Sequence, residues 1–202
     1  MKYILASSSP RRKKILSMFD IKIKYVKHLF DEKSVSFSND PQKYCEIICK
    51  GKSDSISDRY HDFTIISADT IVVLNNKILE KPESVAEAID MLQLLSNKQH
   101  KVITGVNLVC KSKNINFSFT EETFVVFNKL DINEIEYYVK KYNPLDKSGG
   151  YGIQDFSSIF VKSIDGCFFN VVGLPISSMF YHLKRLELIR FSLNTNNRIN
   201  KL

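Results

Sequence analysis

Short apolar runs alternate with polar stretches along this chain, and their spacing predicts alternating strands and helices. Tyr3–Ala6 is an apolar run that stops at Ser7, Ser8, Ser9 and Pro10. Ile15, Leu16, Met18 and Phe19 then recur at helical spacing, so the start reads as strand, polar turn and helix. Ser9 suits the N-cap and Pro10 the first turn, where a missing N–H costs nothing. Ile21–His28 alternates apolar and basic residues, which predicts an edge strand with one wet face. Residues 30–40 read as a loop and 41–57 as a helix carrying Tyr44, Cys45, Ile47 and Ile48. Phe63–Ala68 is a buried strand that places Asp69 and Thr70 at its end; Ile71–Leu74 runs on to a turn at Asn75-Asn76, and Ile78–Glu80 returns. Ser84–Leu95 is the clearest helix, with Ser84 and Glu87 spaced as a capping box. Strands are expected at 101–110, 115–127 and 159–164, and helices at 131–142 and 175–190. The tail from Asn194 is Asn-rich without apolar periodicity. Hairpin spacings mixed with helical crossovers imply a mixed α/β sheet rather than a purely parallel one.

Composition narrows the class. The 202 residues are 44% hydrophobic and 25% charged, ordinary for a globular chain of one domain or two lobes sharing a cleft. We expect a single domain over 1–190 and a polar tail over 191–202. The net charge of +7 suits a polyanionic small substrate or nucleic acid. The basic residues never form a stripe with interleaved aromatics, so nucleic acid is the weaker reading. The four cysteines have no zinc-type spacing and read as buried thiols in a reducing compartment. No apolar run approaches the ~20 residues of a membrane span, and the first residues lack a signal-peptide pattern, so the expected location is cytoplasmic.

Several groups carry candidate chemistry. Ser7, Arg11 and Arg12 at a helix N-terminus form an anion cradle suited to phosphate. Asp69, on a buried strand, can hold a divalent cation or orient a water, and equally can cap a turn. Lys81 can meet a phosphate as a point charge, Asp31-Glu32 offers hard oxygens, and Lys52 lies on the second helix. In Ser148-Gly149-Gly150-Tyr151-Gly152-Ile153-Gln154 the glycines permit close ligand approach, Tyr151 can stack, and Gln154 can donate to and accept from a base edge. It lacks the Gly-Lys-Ser/Thr ending of a P-loop. The four histidines stand apart from any Ser or Cys motif and read as surface or core imidazoles.

Five ordered stretches together resemble the Maf family of nucleotide pyrophosphatases. They are Leu5–Arg12, Ser67–Val72, Leu79–Pro82, Pro144–Gln154 and Val171–Pro175. The resemblance implies a strongly bent mixed sheet with flanking helices forming two lobes around a cleft, an inosine triphosphatase-like architecture. It implies hydrolysis of a nucleoside triphosphate to monophosphate and pyrophosphate with a divalent cation, Mg²⁺ or Mn²⁺, and a homodimer. By position, Asp69 would be the catalytic base or the metal ligand that activates water, and Glu32 would assist at the metal. Ser7, Arg11, Arg12, Lys52 and Lys81 would hold phosphates, with Lys50 the alternative to Lys52. Arg11, Thr70 and Gln154 match the subgroup acting on dTTP and UTP; the other subgroup, acting on 7-methyl-GTP, places Trp after the Ser-Pro, and this chain has no Trp. Ser8 stands where the family prefers a smaller residue, and Asp155–Ser158 replaces a glycine-rich stretch. The rival reading is a non-catalytic nucleotide or nucleic-acid binding module; Asp69, Lys81 and Glu32 speak against it.

Overall fold

The computed structural model describes residues 2–19 and 21–190. In chain order it holds β1 (Tyr3–Ala6), α1 (Pro10–Leu16), β2 (Ile23–Val26), α2 (Pro41–Ser57), β3 (Thr64–Leu74), β4 (Lys77–Leu79), α3 (Val85–Leu95), β5 (Gln99–Cys110), β6 (Ile115–Phe127), α4 (Ile132–Tyr142), β7 (Val161–Asp165), α5 (Phe168–Val172) and α6 (Ile176–Arg185). The strands form one mixed sheet, ordered β2-β1-β3-β5-β6-β7, with β4 also on β3. β1 is parallel to β2 and β3, and the remaining pairs are antiparallel. The mixed sheet and the edge position of β2 are as the sequence implies.

Local chemistry sets the boundaries. Ser9 caps α1, its hydroxyl accepting from the Arg12 N–H with Pro10 in the first turn, and Asp40 caps α2 ahead of Pro41. Asn75 and Asn76 both take positive φ, as a two-residue hairpin turn between β3 and β4 requires. Asp131 and Glu134 complete a capping box on α4. At α3 only half of one forms: Ser84 accepts from the Glu87 N–H, but the Glu87 carboxylate accepts from Glu83 instead.

Several boundaries differ from the sequence expectation. β2 keeps only Ile23–Val26 of the expected Ile21–His28. α1 stops at Leu16 and leaves Met18 exposed. β7 begins only at Val161, after a 3-10 turn over Phe156–Phe160. α6 stops at Arg185; Glu187 adopts positive φ, and Leu188 and Ile189 are buried outside any helix, so their apolarity serves the core. Most important, Asp69 is not at a strand end: β3 runs through it because β5 pairs with it without a break from Ile65 to Val73. The expected tail lies outside the described residues.

The sheet has two unequal faces. Along β3, Ile71 and Val73 pack with Tyr44, Cys45 and Ile48 of α2, and Ile65 packs in a cluster with Ile56. Ile66, Ala68, Val72 and Leu74 join the main core with Leu92, Leu95, Tyr138, Met179 and Leu183. The strand period of two therefore sends Asp69 to the α2 side and Thr70 to the other. One residue of β5 brings the α2 side close. Gly105 of β5 pairs with Asp69, and a Cβ there would lie 2.8 Å from the Cys45 backbone. The missing Cβ is what lets α2 settle on the sheet at this point.

One edge of β3 is discontinuous. β1 pairs with it only as far as Ile66, and β4 only from Val72. Asp69 and Thr70 fall in the gap, so side chains from both faces reach one opening. The cleft lies here.

Candidate active site

The turn from β1 to α1 forms one wall. Arg12 is buried, and its guanidinium donates from Nε to the Gly173 carbonyl (2.7 Å), from Nη2 to Thr70 Oγ1 (2.9 Å) and from Nη1 to Ser7 Oγ (3.4 Å). Ser7 Oγ also accepts from the Ser9 N–H at 3.2 Å. A guanidinium has five N–H donors, so two remain for an anion. Burial draws the Arg12 pKa down, and the nearby Asp69 carboxylate opposes that shift. Arg11 goes elsewhere: it crosses to Asp146, 2.5 Å to the carboxylate and 3.1 Å to the carbonyl. The two arginines thus diverge, one harnessed inside and one strapped across the mouth.

The opposite wall carries the acids. Lys52 Nζ lies 2.8 Å from Asp69 Oδ1 and 2.9 Å from Glu32 Oε2, so one buried ammonium bridges two carboxylates. Lys50 pairs with Asp54 on the exposed side of the same helix, so of the two lysines it is Lys52 that reaches the site. Glu32 opens a short 3-10 turn, capped when the Asp31 carboxylate accepts from the Lys33 N–H. A hydrogen bond from His28 holds the Glu32 carboxyl well below the usual range; burial works against this, while Lys52 and Lys81 reinforce it. Lys52 is two turns along α2 from Cys45, whose close seat on Gly105 sets the depth to which the ammonium reaches.

These walls enclose a cavity of about 210 Å³ lined by Ser7, Arg11, Arg12, Glu32, Lys52, Asp69, Thr70, Lys81 and Gln154, the residues for which the resemblance implies a role. A second cavity of about 540 Å³ shares Glu32, Asp69, Thr70, Lys81 and Ser148 with it. Ser148 donates to the Thr70 carbonyl at 2.8 Å, which ties the glycine loop to the gap in β3. Gln154 is exposed at the rim. Tyr151 lines the cavity but does not stand free to stack on a base: it is buried, 2.7 Å from His100 Nε2 and edge-on to Phe127.

The Maf-like protein family model matches residues 2–186. The chain belongs to the Maf family. Its relatives are close along nearly their whole length: 43% identity over 184 residues to a dTTP/UTP pyrophosphatase of Clostridium botulinum (89% of this chain, 96% of that one), and 41% over 187 residues to one of Bacillus thuringiensis (93% and 96%). Among solved structures, the Staphylococcus aureus Ham1 protein is similar in fold, with a TM-score of 0.52 at 15% identity, covering 92% of this chain and 99% of that one. The mixed α/β architecture implied by the motifs is therefore the one found.

Some residues of this Maf site were not legible beforehand. Lys147 lines the main cavity and pairs with Asp146 at 2.8 Å; its place inside the Pro144–Gln154 motif was the available signal. Asp146, the partner of Arg11, lies in the same motif. His28, grouped with the surface or core imidazoles, touches Glu32. It closes the alternating run Ile21–His28, two residues past the end of β2, and nothing in that run marks its last residue.

Proposed function

We propose that this Maf protein hydrolyses dTTP and UTP between the α and β phosphates, releasing pyrophosphate and the monophosphate. The observation that carries the reading is the Asp69–Lys52–Glu32 bridge set in the gap of β3, facing the Ser7–Arg12 turn. The names of the relatives supply the nucleotide class.

Each side chain has a task in this reading. The two free N–H groups of Arg12, with Lys52 and Lys81, meet the phosphate charge; a triphosphate carries about four negative charges near neutral pH, and neutralising the departing pyrophosphate lowers the barrier. Thr70 and Gly173 fix Arg12, so its fork costs little to order. Asp69 accepts the proton of the attacking water or ligates the cation beside it. Arg11 and Gln154 face the base at the mouth, and Gln154 can pair both a donor and an acceptor of a uracil-type edge.

The donor set also suits a divalent cation. Among the described residues no cluster of three or more His, Cys, Asp or Glu forms a cage. Two hard carboxylate oxygens share one cation position, now filled by the Lys52 ammonium, and Mg²⁺ commonly takes one or two carboxylates plus substrate phosphates. Glu32 and Asp69 would hold it, and it would supply charge neutralisation and an acidified water.

A panel of nucleoside triphosphates with Mg²⁺ or Mn²⁺, assayed for pyrophosphate, tests the proposal. Preferred release from dTTP and UTP is expected; no release from any nucleotide would refute it.

A further inference from the structure

His28 lines the main cavity and its side chain is only 13% exposed, yet the proposed reaction gives it no task. Its Nε2 lies 3.3 Å from Glu32 Oε1, whereas Glu32 Oε2 is 2.9 Å from Lys52. The imidazole and the ammonium therefore take one oxygen each. Nδ1 is buried and has no hydrogen-bond partner among the described residues. This asymmetry selects the tautomer. A ring protonated at Nε2 donates to the carboxylate and leaves only a bare acceptor at Nδ1. The other neutral form would turn a lone pair on the carboxylate and bury an unpaired N–H, which is worse on both counts.

The chain around His28 is held on both sides. β2 ends its pairing with β1 at Val26, two residues before it. Just after it, the Leu29 N–H donates to Ser55 Oγ at 3.1 Å, and the Phe30 ring lies where a Cβ on Gly51 would be, 2.4 Å from that position. Both anchors are on α2, the helix that carries Lys52. The segment 28–32 is thus fastened to the element it must be in register with.

We propose that His28 is a positioning residue for the hydrolysis: its Nε2–H pins Glu32 Oε1 so that Oε2 faces the cation position shared with Asp69. The inference rests on the function proposed above. Glu32 opens a short 3-10 turn with 37% of its side chain exposed; Lys52 holds Oε2 alone, and a second contact on Oε1 is what stops the carboxylate from pivoting about that single point. The His28 contact is on the oxygen that Lys52 does not take, so it leaves the shared position clear. Groups that orient a metal-binding carboxylate from outside typically change affinity or turnover about 10–100-fold.

The test compares wild type with His28→Ala, His28→Phe and His28→Gln. Gln places an amide N–H near the position of Nε2; Phe keeps the volume without the donor. Mn²⁺ binding is followed by electron paramagnetic resonance in the presence of α,β-imido-dUTP. We expect about tenfold weaker Mn²⁺ binding in the Ala and Phe variants and recovery in the Gln variant. With dTTP, kcat falls by about 10–100-fold in Ala and Phe while KM stays within about threefold. The ¹⁵N spectrum of the His28 ring should report protonation at Nε2 without any metal present. An Nδ1–H ring, a Gln variant no better than Ala, or unchanged Mn²⁺ affinity and kcat in Ala each overturn the proposal. If the wild type hydrolyses no triphosphate, the functional reading fails, while the tautomer and the Mn²⁺ comparison still decide His28.

Discussion

Lys52 holds the least expendable position in the site. A buried ammonium between two carboxylates acts as an internal cation, and removing one member of such a group is strongly destabilising, by about 3–5 kcal/mol. Lys52→Met should therefore lower the melting temperature and abolish turnover. It should also expose two unneutralised carboxylates to a divalent ion, so added Mn²⁺ should raise the melting temperature of the variant more than that of wild type. Equal Mn²⁺ shifts in both proteins would remove Lys52 from the cation position. Asp69→Asn keeps the shape but not the charge, and dTTP turnover should fall by about 10²–10⁴-fold with the circular dichroism spectrum unchanged. At this scale the sequence was most informative where residue type alone restricts chemistry: Ser9-Pro10 as a cap, Arg12 beside it, an acid on a buried strand. It could not separate Lys50 from Lys52, since that depends on which side of α2 meets the sheet. Nor could it pair Arg11 with Asp146, since that contact joins segments that only the fold brings together. His28 and Glu32 are only four residues apart, but outside a helix nothing in the pattern marks that spacing as a contact.

Elements place these residues through one absent side chain. Gly105 lets α2 approach β5, and the clash its Cβ would make is with the Cys45 backbone, which a rotamer change cannot relieve. Gly105→Ala should thus push α2 outward, destabilise by about 1–3 kcal/mol and draw Lys52 away from Asp69. Denaturant unfolding checks the first effect and the dTTP kcat the second; a variant with unaltered stability and rate would show that the close seat of α2 is unimportant. The helix itself was readable from Asp40-Pro41 and its apolar positions. Its depth was not, because a glycine in a strand announces only that something approaches, without naming what. Asp69 was expected at a strand end for a related reason. The polar pair Asp69-Thr70 interrupts the apolar pattern, but β5 supplies pairing on one edge whatever the side chains are. The interruption instead marks where the partner on the other edge changes from β1 to β4.

For the molecule as a whole, the mixed sheet could be read from strand spacing, but the cleft could not, since it arises from a gap between two short strands on one edge. The core also contains a polar pair with a consequence for stability. Burial lowers the His100 pKa from 6.5 to about 4, where its ring meets Tyr151. The unfolded chain then binds more protons between these values, so His100 weakens the fold as pH falls from about 6.5 toward 4, by up to about 3 kcal/mol. The acid-side loss of stability, followed by urea unfolding from pH 7 to 5, should shrink in His100→Gln; an unchanged slope would exclude His100 as its source. Hydrolysis between the α and β phosphates is decided by which bond breaks. Wild-type protein with Mg²⁺ and dTTP in H₂¹⁸O, followed by ³¹P nuclear magnetic resonance and mass spectrometry, addresses it directly. Pyrophosphate and dTMP are expected, with ¹⁸O in the monophosphate. Orthophosphate with dTDP, or no turnover at all, would contradict it.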